Sequence, residues 1–269
     1  MTTQEKRKFG QEFNRVNRKF AKAHLPKVKK ALDKVVSSLI GTIKKVGIKK
    51  AQSDLRTDLF SDKLYNPIQN IYKEVGVYHA NQSYKFIRKE IGQKGIGRSE
   101  QWAKDIVSYL QKTLLQYAVV KTSETLRNHL LLVLQTALDK ELTVDEVVKL
   151  LEDSGFTAFQ AERIIRTEIG RAANTGIKVA ADSFGYEMSK EWISFHDART
   201  SGFKPKQPKD HYHMNGQTVD FGYDFVDPRS KERIDYPMAP GGSAGMVINC
   251  RCTFAIVPKR DSNGRLIKR

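Results

Sequence analysis

Apolar residues recur at helical spacing through most of the chain. Phe9, Phe13, Val16 and Phe20 lie four and three positions apart, with mostly Lys, Arg, Gln and Asn between them, which predicts one amphipathic helix. Pro26 is expected to interrupt or restart that pattern, because proline lacks the N–H that a helix interior uses. Val28, Leu32, Val35, Leu39, Ile43 and Val46 form a second stripe, opposite Lys29, Lys30, Lys34, Lys44 and Lys45. The stretch GQKGIG, residues 92–97, reads as a loop. Helical spacing resumes with Ile106, Leu110, Leu114 and Tyr117, and the apolar run HLLLVLQTAL (129–138) predicts a buried core helix. Two helix starts carry the reciprocal capping pattern: Thr143 with Glu146, and Thr157 with Gln160. Gly155 should end the first of these helices, and Gly185 a long one that begins at Thr157.

After Gly185 the period changes. KEWISFHD alternates as a strand does, with Trp192 and Ile193 on opposite sides. Residues 201–245 are rich in Pro, Gly, Asp, Lys and Tyr, and Asn215-Gly216 signals a hairpin. A last strand is expected from about Met246 to Val257, ended by Pro258. The fold class is therefore α+β. A large basic helical domain spans residues 1–185, a small strand-rich domain residues 186–258, and a basic tail residues 259–269.

Charge refines this division. The net charge is +17, and it is uneven. Residues 1–50 hold 15 Lys and Arg against three acids, for +12; residues 259–269 hold five against one, for +4. The remaining 208 residues are nearly neutral, at +1. A basic arm and tail on a neutral body point to a polyanion, most simply nonspecific DNA, with Lys22, Lys27, Lys29, Lys30, Lys34, Lys44 and Lys45 as the DNA-binding residues. A solvated lysine face that only aids solubility is the bland alternative. No apolar run approaches the roughly 20 residues of a membrane helix, the first residues lack a secretory h-region, and the thiol content reads as cytosolic.

Both cysteines stand in INCRCTFAIV, residues 248–257. On an extended strand Cys250, Cys252, Phe254 and Ile256 would share one face, and Asn249, Arg251 and Thr253 the other. The thiols would then point inward, with Arg251 turned away. Two thiols on one face could be small buried hydrophobes or zinc ligands completed by His211, with His213, His196 and Asp197 as further candidates. PGGSAG (240–245) lacks the Gly-Lys-Ser/Thr of a phosphate-binding loop and a following helix, and reads as a flexible loop. Arg166, Glu168 and Asn174 fit best as ties to neighbouring loops.

The segments RIIRTEIGRAANTG (163–176), EWISFHDART (191–200), DHYHMNGQTV (210–219), a Pro-Gly loop and INCRC (248–252) follow one another in an order that resembles the Mu F-like group of phage minor head proteins. The matching positions are Arg166, Thr167, Glu168, Asn174, Trp192, Asp197, Arg199, Thr200, His211, Asn215, Gly216, Asn249, Cys250, Arg251 and Cys252. The resemblance covers residues 157–257; the N-terminal 150 residues carry no motif of the group.

That resemblance implies a structural role in head morphogenesis, at the portal side of the capsid interior and near DNA. The implied partners are the portal protein and other head proteins, in the virion interior and, during assembly, the host cytoplasm. It also implies that Asp197, His211, Asn249, Cys250 and Cys252 form a structural polar cluster, held by hydrogen bonds or by zinc on Cys250, Cys252 and His211. Some relatives carry an extra Cys-x-x-Cys after the Asp, where this chain has TSGFKPKQPKDHYH. The alternative is a nuclease-like or toxin-like effector domain on a helical carrier. His211, His213, Asp197, Arg199 and Arg251 supply the residue types for phosphodiester cleavage, without a diagnostic spacing.

Overall fold

The structure is a computed structural model that describes residues 3–92, 108, 115–153 and 155–269. The expected loop at 93–97 and the positions Ile106, Leu110 and Leu114 lie outside the described residues. The chain is α+β. Its helices are α1 (Thr3–Val46), α2 (Ile48–Asp54), α3 (Asp58–Ile71), α4 (Val77–Glu90), α5 (Gln116–Asp139), α6 (Val144–Asp153) and α7 (Phe156–Asp182). A π-helical turn, Tyr72–Gly76, joins α3 to α4. Then come β1 (Met188–Ile193), β2 (Thr218–Asp220), β3 (Phe225–Val226), β4 (Arg233–Ile234), the short α8 (Ala244–Val247) and β5 (Thr253–Pro258). Among the described residues no helix is long and apolar enough to cross a membrane.

Several local expectations are corrected. Pro26 does not break α1, which runs through it for 44 residues; proline removes one backbone donor, and the apolar stripes on either side of it keep the helix continuous. Thr143 and Glu146 do form the reciprocal cap, Thr143 N donating to Glu146 Oε2 at 2.8 Å. Thr157 does not cap: α7 starts one residue earlier, Phe159 N bonds the Gly155 carbonyl, and Gln160 pairs with His129 instead. The run 129–138 is amphipathic, burying Leu130, Leu134 and Ala137 while Leu132 is exposed.

Contacts group the chain into two compact units. One comprises Lys22–Asn70 and Lys112–Ile165, and the regular elements among its described residues are all helices. Val28, Leu32, Val35, Leu39 and Ile43 are its buried stripe on α1, and Phe60, Leu64, Leu126, Leu130, Leu134 and Val147 are buried in the same unit. Lys22, Lys27, Lys29, Lys30, Lys34, Lys44 and Lys45 are all exposed.

The other unit comprises Met1–Ala21, Ile71–Gln111 and Arg166–Arg269. Its antiparallel sheet has the order β2-β1-β5, with Trp192 opposite Phe254 and Glu191 opposite Ala255 and Thr218. Trp192 and Ile193 are both buried, so β1 is covered on both faces. The first turns of α1 join this unit: Lys6 pairs with Glu191 at 2.7 Å, and a Cβ on Gly10 would lie 3.2 Å from Ile193. Gly176 of α7 meets the π-turn backbone to backbone, since a Cβ there would fall 2.2 Å from the Gly76 carbonyl oxygen. The basic tail folds back as well. Ile267 O accepts from Glu187 N, Arg269 N donates to Gly185 O, and Lys259 pairs with Asp220 at 2.7 Å. Asn215-Gly216 does not tip a two-residue hairpin, because residues 194–217 separate β1 from β2. Gly216, at φ +85°, donates its N–H to the Trp192 carbonyl and closes that long excursion.

His79 is buried in this unit, bonded through Nε2 to Asn17 Oδ1 at 2.9 Å and packed on Phe13. Burial lowers its pKa from 6.5 to about 4. The unfolded chain therefore takes up this proton below pH 6.5 and the folded one only near pH 4, so acid favours unfolding. Stability should fall by up to about 3 kcal/mol between those limits from this residue alone. Urea denaturation at pH 7.5 and pH 5 should show the loss in the wild type and a flatter profile in His79→Phe.

Candidate metal centre

The cysteine segment is a bend rather than a strand. Asn249 has φ +56°, a left-handed conformation that asparagine tolerates better than most residues, and Cys250 N bonds back to the Val247 carbonyl. The last strand begins only at Thr253, so the two thiols do not share a strand face. Helix side chains hold the bend. Asn174 Nδ2 donates to the Cys252 carbonyl at 3.1 Å. Asn14 Nδ2 donates to the Arg251 carbonyl at 3.2 Å, and Thr167 Oγ1 accepts from Asn249 N at 3.3 Å. The RTEIGRAAN segment of α7 thus grips INCRC directly.

This bend turns both sulfurs toward one imidazole nitrogen. His211 Nδ1 lies 3.5 Å from Cys250 Sγ and 3.8 Å from Cys252 Sγ. The three ligand-type atoms all fall within 4.8 Å of one another. His211 Nε2 faces Met246 Sδ at 3.2 Å, and the ring packs edge-on against Trp192. Cys252 is buried and Cys250 half-buried. Hydrogen bonding from the Cys252 thiol, with His211 adding to it, drives the Cys250 pKa well below its usual value. Burial, together with that neighbouring thiolate, raises Cys252 well above it. Burial works against a charge on His211, but the facing Cys250 thiolate outweighs it and the net shift is upward. A thiolate, a thiol and an imidazole at these distances are a soft donor set.

The long loop before β2 positions His211. Asp227 is fully buried. Its carboxylate accepts from the backbone N–H groups of Asp210, Arg229 and Ser230 at 2.7, 2.9 and 2.7 Å. Asp210 in turn accepts from His213 Nδ1 at 2.7 Å and from Arg229 at 3.2 Å. Two aspartates therefore fix the backbone on either side of the histidine. PGGSAG runs into a helix after all, since the four-residue α8 starts at its Ala244, and the Ser243 N–H before it is taken by Glu232 Oε1 at 2.7 Å.

The expected five-residue cluster divides in two. His211, Cys250 and Cys252 converge, whereas Asp197 and Asn249 do not join them. Asp197 forms a two-point pair with Arg251, Oδ2 accepting from Nη1 at 2.9 Å, and also accepts from Arg199 N. Hydrogen bonding from Arg251 holds its carboxyl far below the usual range. Asn249 is exposed and contributes its backbone. His196 is exposed and stacks on Tyr212 with ring centroids 3.7 Å apart, and His213 is mostly exposed beside Asp210, so neither meets the thiols. The seven lysines belong to the other unit. Asp210, Asp227 and Met246 were not anticipated; Asp227-Pro228 within a polar loop was the only signal, and such a pair marks a turn without naming what it supports. Comparison with family models, with curated proteins and with solved structures returns no match for this chain.

The Asp197–Arg251 pair clamps the cysteine bend from outside. Asp197→Ala should lower stability by about 1–3 kcal/mol, because Arg251 loses a half-buried charged partner. Arg251→Lys, which cannot form the two-point pair, should act in the same direction. Urea midpoints equal to wild type for both variants would show that the clamp contributes nothing to folding.

Proposed function

We propose that the chain is a phage minor head protein, a structural component of head morphogenesis that acts near DNA, and that zinc bound by Cys250, Cys252 and His211 fixes its strand-rich unit. The observation that carries this reading is the convergence of its dispersed motifs. Thr167, Asn174, Asp197 and His211 come from three separate segments, and each holds or meets the INCRC bend. The motif order that resembles the Mu F-like group is thus also a set of physical contacts. The exposed lysines of α1 supply the means for nonspecific attraction to DNA. The portal protein and other head proteins remain the proposed partners, with the virion interior as the proposed location.

The zinc part rests on distances. In a tetrahedral site with Zn–S near 2.3 Å and Zn–N near 2.05 Å, a sulfur and a nitrogen stand about 3.6 Å apart. The Sγ···Nδ1 separations of 3.5 and 3.8 Å bracket that value. Among the described residues no fourth Cys, His, Asp or Glu joins the group, and a cavity of about 150 Å³ adjoins the thiols, where water can complete the shell. The nuclease-like alternative has less support, because Asp197 is engaged by Arg251, and His211 is set between two sulfurs and a thioether.

Mass spectrometry of purified virions should find the chain at a few copies per particle. Absence from virions would remove the head reading. For the metal, protein purified without chelator should contain one zinc per chain by elemental analysis. Cys252→Ser should lose it, and chelator should lower the wild-type melting temperature. A metal-free protein whose melting ignores chelator would instead make the thiols a dry packing element.

A further inference from the structure

His211 is met on both ring nitrogens, and the two contacts differ in kind. Nδ1 faces the thiols, 3.5 Å from Cys250 Sγ and 3.8 Å from Cys252 Sγ. Nε2 lies 3.2 Å from the Met246 thioether sulfur. A thioether accepts a hydrogen bond but has no proton to give. The contact therefore holds only when Nε2 carries the hydrogen, and in the neutral ring that leaves the Nδ1 lone pair on the side of the cysteines. Both residues are buried, Met246 completely, so bulk water is no substitute for the acceptor.

The ring cannot exchange these roles by turning over. A half-turn about Cβ–Cγ would put Cδ2 against the cysteines and Cε1 against the thioether, leaving no nitrogen at either contact. Trp192 packs edge-on against the ring, with centroids 5.5 Å apart, and restrains its plane. A metal-binding histidine ordinarily gives its second N–H to a carboxylate, a backbone carbonyl or water. The two carboxylates that act on His211 through space are engaged elsewhere: Asp227 with three backbone N–H groups, and Asp210 with His213 and Arg229. Met246 takes that place through the path of the chain. It sits in the four-residue α8, and Ser243, just before that helix, donates its N–H and its hydroxyl to Glu232, each at 2.7 Å. Glu232 also pairs with Lys209, which lies just upstream of His211. One carboxylate thus ties the start of α8 to the loop that carries the imidazole.

We infer that Met246 is a positioning residue for the metal centre: its thioether accepts the Nε2–H of His211 and so fixes the tautomer whose Nδ1 lone pair faces Cys250 and Cys252. The geometry stands without a metal, and only its consequence for zinc rests on the zinc reading above. A thioether is a weak acceptor. It therefore orients the imidazole while adding less to its basicity than a carboxylate in the same place would.

The test uses the full chain, reduced, with nitrogen-labelled histidine. Nitrogen NMR of the metal-free wild type should find a hydrogen on His211 Nε2; a bare Nε2 with the hydrogen on Nδ1 would overturn the inference. Met246→Leu keeps the side-chain volume and removes the acceptor. In the folded variant, checked by thermal melting, the hydrogen should move in part to Nδ1. Its zinc affinity, read by competition with a chromophoric chelator, should fall roughly tenfold. Met246→Gln, which returns an oxygen acceptor, should restore the Nε2–H and most of the affinity. If Met246 only filled space, its loss would lower the melting temperature without moving the hydrogen. A folded Met246→Leu that keeps either the wild-type tautomer or the wild-type zinc affinity therefore sinks the inference, and if that variant does not fold, the wild-type tautomer decides alone. Should the wild type take up no zinc, the zinc reading fails by itself, and the tautomers of the metal-free wild type and Met246→Leu still decide the role of Met246.

Discussion

Glu168 and Arg171 form an ion pair that is almost fully buried, one turn apart on α7, with Arg171 Nη1 donating to both carboxylate oxygens at 2.7 and 2.8 Å. Two charges can occupy such a position only if their remaining hydrogen-bonding capacity is met, since an unpaired charge at that depth costs about 3–5 kcal/mol. Tyr72 of the π-turn donates to Glu168 at 2.8 Å, and Arg171 Nε donates to the Met238 carbonyl at 3.2 Å. The pair therefore dictates where the π-turn and the Pro-Gly loop lie against α7. Met238 is held at φ +67°, and its thioether fills the notch left by the missing side chain of Gly170. Once α7 is fixed on these two sides, Thr167 and Asn174 are aimed at the cysteine bend.

The triangle of His211, Cys250 and Cys252 and the outward turn of Arg251 are two products of that bend. Cys250 faces His211 within it, and Arg251, the next residue, is drawn outward to Asp197. A strand would also have sent adjacent residues to opposite sides, but it would have kept Cys250 and Cys252 level, both equally inside. The bend makes them unequal: Cys252 is enclosed, while Cys250 is half-buried. The hydrogen bond between the two thiols, with His211 adding to it, lowers Cys250, while burial and that same neighbour raise Cys252.

Much of the fold was legible where one periodicity dominates. The stripes of α1, the Thr143–Glu146 cap and the end of α7 before Gly185 follow from spacing and end signals alone. Errors arose where a local signal competed with packing. Pro26 lost to the buried stripe around it, and Asn215-Gly216 serves a long loop rather than a hairpin. In the site, the residue types were visible but their pairings were not. His211 could be linked to the cysteines by chemistry, whereas Asp197 belongs to Arg251, because a partner 54 positions away is chosen by the path of the chain. Asp227 was hidden for the same reason: its work is to bind backbone, which leaves no mark on spacing.

The strand-rich unit is assembled from three stretches separated in sequence, and this governs the order of events as the chain is made. Asn14 and Arg251 are 237 positions apart, yet one hydrogen bond joins them. Their meeting, like that of Lys6 with Glu191, closes a very long loop, and contacts of this kind slow folding. The first turns of α1 precede β1 and β5 in sequence and must wait for them before their apolar side is covered. The helical unit, whose second stretch ends at Ile165, is complete in sequence before β1 has been synthesised. The cysteines follow both stretches of the helical unit in sequence, so their capture by His211 comes after that unit is complete in sequence, and a lapse there would leave two sulfurs exposed beside it.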